Sequence, residues 1–203
     1  MARKVLYKFL DAGIKSHYDG SPWAIGEWRS VAAPNTECIG LNASELVQGA
    51  MNYVQGAILA KVEVKGKIIK TGDKWTCEHM RIIAVAAWSI RDSIALAIYA
   101  AESVLSIYEN QYPEDKRPRA AIVAARACLQ TPTSDAAARA ADAAAGAADA
   151  AARASDAAAG AAYAAAWAAS DAAARAASDT ARAAARMRIH RHALSLITWR
   201  TAL

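Results

Sequence analysis

Between residues 17 and 29 the chain gathers His17, Tyr18, Trp23, Trp28 and Arg29 around the turn dipeptides Asp19-Gly20 and Ser21-Pro22, and Asn42 follows a short way on. Aromatic faces can stack on a nucleobase, and a guanidinium can pair bidentately with phosphate. This set is therefore the candidate ligand-binding group, and its competing use is as the edge of a small domain's core. Other chemistry is sparse. There is no phosphate-binding glycine loop, no nucleophile elbow and no His/Cys cluster at metal spacing. His190 and His192, two apart on a helix, face different ways. His79 falls in a predicted strand. No catalytic residue, metal site or cofactor is assigned.

The elements that must position these residues follow from period and punctuation. Residues 3–9 read as an opening strand and Asp11-Ala-Gly13 as a turn. Glu27 to Ala32 reads as a second strand, with Trp28 and Arg29 on opposite faces. Asn42 or Ser44 is expected to cap a helix reaching about Tyr53. Ala57–Val64 reads as a strand that Lys67–Lys70 continues past Gly66. Thr71-Gly72-Asp73 is a turn, and Thr76–Ile83 is a further strand, with helical character expected from about Val85–Trp88. From Arg91 the period becomes helical: Ile94, Ile98, Ala101, Leu105 and Tyr108 form one apolar stripe. Pro113 to Pro118 ends that helix, and a second runs from Arg119 to about Gln130.

From Ser134 to Arg186 the sequence is close to a seven-residue repeat. Asp135, Asp142, Asp149 and Asp156 are followed four residues later by Arg139, Gly146, Arg153 and Gly160. Alanine is the best helix former and a poor core filler, so the segment should be helical and in need of close neighbours. A strict heptad drifts by about 20° per repeat on a straight helix. The extra residue at Ser170 puts Asp171 ten turns of 3.6 residues after Asp135 and restores the phase. The reading is one straight helix of about 53 residues, roughly 80 Å long; a hairpin broken at Gly146 or Gly160 is the alternative. Gly146 and Gly160 are candidate close-contact points and Tyr163 and Trp167 an aromatic anchor, together predicting a homo-oligomer. An ice-binding face would need regularly spaced Thr, which the repeat lacks.

With 203 residues and a formal charge of +5, the chain has room for one domain and an elaboration. Its Leu, Ile, Val and Trp concentrate before residue 130. Asp or Arg interrupts the alanine region too often for a membrane span. The N-terminal sequence reads as a strand rather than a signal peptide. Cys38, Cys77 and Cys128 are too widely spaced for a zinc pattern, and their odd number fits a reducing cytoplasm. Arg182, Arg186, Arg188, Arg191 and Arg200 stand together without an acid. They could meet nucleic acid, though a cationic helix C-terminus complements the macrodipole.

Three segments carry a resemblance. They are Arg91-Asp-Ser-Ile-Ala, Ala101-Glu-Ser-Val-Leu-Ser-Ile-Tyr-Glu109 and Asp115-Lys-Arg-Pro-Arg-Ala-Ala-Ile-Val-Ala-Ala-Arg126. With the alanine-rich tail, they resemble the helical part of immunity-type proteins and a block found in bacteriophage proteins. Gly26-Glu-Trp-Arg29, Cys38 to Ser44, and Val62 to Ile83 are similar to the N-terminal part of those phage proteins. The resemblance implies conflict biology in a bacterial cytoplasm. Gly40 to Val64 also resembles a piece of the ADP-ribosyltransferase-type fold. Phage relatives often carry His and Cys where this chain has Asn42 and Ser44, which argues against catalysis or metal binding there.

The sequence therefore predicts an α+β protein. A small mixed-sheet module, residues 1–88, would bind ligand; 89–131 would be a two-helix connector; 132–203 would hold the long alanine-rich helix and a further helical segment for oligomerisation. The expected role is non-catalytic: sequestering a nucleotide-derived signal or a host defence protein. A nucleotide-acting, ADP-ribosyltransferase-like enzyme and a purely structural oligomeric helical protein are the alternatives.

Overall fold

The computed structural model describes residues 4–32, 34, 39–130 and 171–201. The expectations on Gly146, Gly160, Tyr163 and Trp167, and on rod versus hairpin, lie outside these residues. The fold is α+β and divides into two compact units. One comprises Met1–Ser89 with Ala193–Leu203, and the other Ile90–His192.

The first unit is built on antiparallel strands. These are β1 (Lys4–Leu10), β2 (Trp28–Ser30), β3 (Leu41–Ser44), β4 (Ile58–Thr71), β5 (Lys74–Ala87) and β6 (Arg200–Thr201). β4 and β5 form a long hairpin turned at Gly72-Asp73, with Thr71 opposite Lys74. Gly72 has φ +63, as a two-residue turn matched to strand twist requires. β1 pairs with β4 along its length, Lys4 opposite Val64 through Leu10 opposite Ile58. β3 pairs with both β1 and β5. The circuit β5–β3–β1–β4–β5 thus closes on itself, and closure removes most open edges. β2 and β6 add to β5 on the same side as β3.

Two irregularities let such long strands curve. Register shifts fall between Lys61 and Val62 and between Lys65 and Ile68. At the second, Gly66 has φ +77, and a β-carbon there would meet Glu78 Oε2 at 2.6 Å and His79 Cδ2 at 2.7 Å. The Lys67 amide is taken up by Glu78 Oε2 at 2.8 Å, so the bulge leaves this donor satisfied.

Alternation along β1 separates two buried layers. Leu6 and Leu10 join Leu41, Ala43, Ala60, Val62, Met80 and Ile82 in the main core. Tyr7 and Phe9 face the other way. There Phe9 meets Trp88 edge-on at 5.4 Å, and Tyr7 lies 6.4 Å from Trp199. α1 (Val47–Met51) packs against β1 and β3.

In the second unit, α2 (Ile90–Gln111) and α3 (Arg117–Gln130) form a helical hairpin. Its core joins Ile94, Ile98 and Ala101 to Ile122 and Ala125, with Leu105 packed against them. That is the stripe read from the sequence. Arg119 grips Glu109 at 2.7 and 2.6 Å, and Arg126 reaches Glu102 at 2.5 Å. Asp115 organises the connection: it accepts the Arg117 amide at 3.0 Å and the Tyr108 hydroxyl at 2.7 Å. Those bonds and the Arg117 guanidinium hold its carboxyl far below the usual range. α4 (Asp171–Ser195) brings His192 onto Tyr99, ring centroids 3.8 Å apart.

Three local expectations differ from the structure. Asn42 and Ser44 do not cap a helix; both lie in β3, and α1 begins after Leu46 with no side-chain cap. Pairing with β1 and β5 outweighs the capping preference. Val85–Trp88 is not helical, because Val85 to Ala87 continue β5 against β4. The segment after Arg186, expected to be helical to its end, is helical only to Ser195 within α4; beyond it Arg200 and Thr201 pair with Val85 and Ala84.

Candidate functional site

A charged residue interrupts the apolar wall of β1. Lys8 lies between Leu6 and Leu10 on the core-facing side and opposite fully buried Ala60. Its ammonium donates to the Asn42 carbonyl at 3.1 Å and sits 5.9 Å from the Trp23 ring. Burial pulls its pKa down to about 8, and the Arg29 charge lowers it further while Asp19 opposes. The ammonium still carries its charge at pH 7, but gives up its proton more readily than a solvated lysine does.

Arg29 arrives from β2. It is opposite Met80, a fully buried core residue, so it shares the core-facing side. Its guanidinium stands 4.8 Å over the Trp23 ring and donates to Ser21 Oγ at 2.5 Å. Ser21 Oγ in turn donates to Asp19 at 2.6 Å, and the Ser21 amide donates to the same carboxylate at 3.1 Å. Those bonds, with one from Ser16 and the charge of Arg29, bring Asp19 down to about 2. The loop that carries them is itself pinned by Ser16 N to Ser21 O and Trp23 N to Ile14 O, both 2.9 Å. Among the described residues, neither Lys8 nor Arg29 is joined to a carboxylate in an ion pair.

Both cations lie near the Trp23 ring. Trp23 is 8% exposed, and its Nε1 has no hydrogen-bond partner. A buried donor left unsatisfied costs about 1–3 kcal/mol.

The residues singled out from the sequence are thus divided. Trp23 and Arg29 come together, and Asn42 joins through its carbonyl, its side chain being engaged by Thr76 Oγ1 at 2.8 Å. Trp28 does not join them. Alternation sends it to the outer face opposite Arg81, where Lys65 and Arg81 lie 4.1 and 4.9 Å from its ring. Glu63 completes that ladder, 2.6 Å from Arg81. His17 is on the surface and pairs with Asp11 at 3.0 Å. Tyr18 is 98% exposed. Lys8 was the residue missed, and its signal was a lysine on the Leu6/Leu10 face of an otherwise apolar strand. A cleft of about 50 Å³ near Tyr7, Phe9, Ser44 and Tyr53 has room for a few waters rather than a nucleotide.

Among the described residues no cluster of three His, Cys, Asp or Glu could hold a metal, and no helix is long and apolar enough to cross a membrane. His190 is buried, and burial lowers its pKa.

The molecule is therefore an α+β protein whose sheet unit brings Lys8 and Arg29 near Trp23 as a candidate site, and which has a second, helical unit. Residues 89–175 match the family described as Imm-5 like putative immunity protein. That match takes in α2 and α3, making the helical part immunity-like, and leaves out β1 to β5. No curated protein and no solved structure matches the chain.

Proposed function

We propose that this chain is a non-catalytic, immunity-type binding protein of phage or bacterial conflict, whose sheet unit sequesters an anionic, nucleotide-derived signal in the cytoplasm. The observation that carries the reading is the pairing of Lys8 and Arg29 on the core-facing side without a carboxylate bonded to either. Charges are rarely left partly buried without a counter-charge, and an anionic ligand would supply one. The immunity-like match of residues 89–175 supports the biological setting. Homo-oligomerisation through the alanine-rich segment belongs to the same proposal, as light scattering would test.

The decisive experiment incubates the protein with NAD and with cyclic nucleotides, removes free ligand, heats the complex and chromatographs what is released. Intact ligand supports sequestration. A converted product would instead establish the nucleotide-acting enzyme, and no retained ligand would leave a protein partner or a purely structural role.

A further inference from the structure

The two cations do not account for every free donor at this site. Lys8 offers three N–H groups, of which one meets the Asn42 carbonyl. Arg29 offers five, and Ser21 Oγ takes one. Trp23 Nε1 is buried without a partner, which native proteins seldom tolerate unless something else completes the site. Asp19, the carboxylate whose charge acts on both cations, already accepts from Ser21 and Ser16. Donors therefore exceed acceptors among these three residues, which come from three different segments of chain.

The same geometry disfavours a stacked base. Arg29 already stands over the Trp23 ring at 4.8 Å, and Trp28, the other indole of this region, faces away and is flanked by Lys65 and Arg81. A group with several acceptor oxygens and no need of a ring face fits what remains.

We propose that Lys8, Trp23 and Arg29 form an oxyanion subsite that takes the phosphoryl group of the ligand rather than its base or sugar. This inference rests on reading the sheet unit as the binder of a nucleotide-derived anion. Arg29 supplies the fixed fork, held in orientation by Ser21 and by the indole it covers. Lys8 supplies a charge that an arriving anion favours, so its proton is held more tightly in the complex. The Trp23 N–H supplies a neutral, directional donor.

The test is titration calorimetry in a chloride buffer near pH 7, with inorganic pyrophosphate, AMP and adenosine as probes. Pyrophosphate and AMP should bind and adenosine should not. Lys8→Met and Arg29→Met should each weaken pyrophosphate by about tenfold or more. Trp23→Phe keeps an aromatic ring in the core but deletes the N–H, and should weaken it severalfold. Thermal melts check that each variant is folded. Adenosine binding as tightly as AMP would overturn the phosphoryl assignment while nucleotide binding survived. Unchanged pyrophosphate affinity in all three variants would overturn it too, as would no binding of pyrophosphate and AMP. In that last case, intact NAD or cyclic nucleotide released on heating would still uphold the broader reading.

Discussion

Replacing Lys8 by Met should make the ligand-free protein more stable, and the gain should depend on pH. The lysine pKa falls from 10.5 to about 8 on folding, and each unit corresponds to about 1.36 kcal/mol. Below pH 8 the ammonium is charged in both states, so the full penalty of burying it is present. Between pH 8 and 10.5 the unfolded chain binds more protons than the native one, and stability from this group rises with pH. The full shift corresponds to roughly 3 kcal/mol; remaining exposure and the bond to Asn42 reduce the expected gain of Lys8→Met to about 2 kcal/mol at pH 7. The gap should close by about pH 10.5. Urea unfolding of both proteins across pH 7 to 10.5, in chloride buffers free of phosphate, measures it. Working with the difference cancels Cys77 and Tyr7, whose raised pKa values act in the opposite sense in both proteins. A Lys8→Met protein less stable than the parent at pH 7, or a gap that ignores pH, would refute the reasoning.

Other outcomes follow from single contacts. Cys77 is fully buried and its thiol is pushed up to about 11. With Cys38 and Cys128 changed to Ser, iodoacetamide at pH 8 should label the chain only at the rate at which it opens. Gly56→Ala would drive a β-carbon into the Leu10 carbonyl group, so chemical denaturation should show a loss of more than about 2 kcal/mol. In the helical hairpin, Ile98→Ala should cost about 2–4 kcal/mol. Arg119→Ala, which removes a surface pair, should cost under about 1 kcal/mol by the same measurement.

The long, periodic elements were legible because one physical rule decided each of them. The Ile94–Tyr108 stripe specified α2 and its buried face, and Gly72-Asp73 specified the hairpin turn. Errors arose where local preference and pairing disagree. Asn42 and Ser44 are good capping types, yet they hydrogen-bond as a strand because β1 and β5 present free edges. Val85 to Ala87 look helical in composition, and β4 holds them extended. At the site, alternation separated Trp28 from Arg29 correctly. Grouping every aromatic of the loop into one pocket ignored that separation. Lys8 escaped because its partners, Asn42 and Arg29, are distant in sequence and become neighbours only when the sheet closes.

The pairing of Arg200 and Thr201 with Val85 and Ala84 has a consequence for how the chain is made. A ribosome releases β1 to β5 first and then synthesises more than a hundred residues before β6 emerges. Through that interval the edge of β5 at Ala84 and Val85 stands uncapped and available to any other strand. Trp199, which sits beside Tyr7 and 4.6 Å from Lys61, likewise emerges only after the helical unit. The helical unit is in effect an insertion within a sheet unit whose last stitch, β6, follows it in the chain. Cutting the gene after Ser89 would therefore yield a nascent-like species with a sticky border, not an isolated domain.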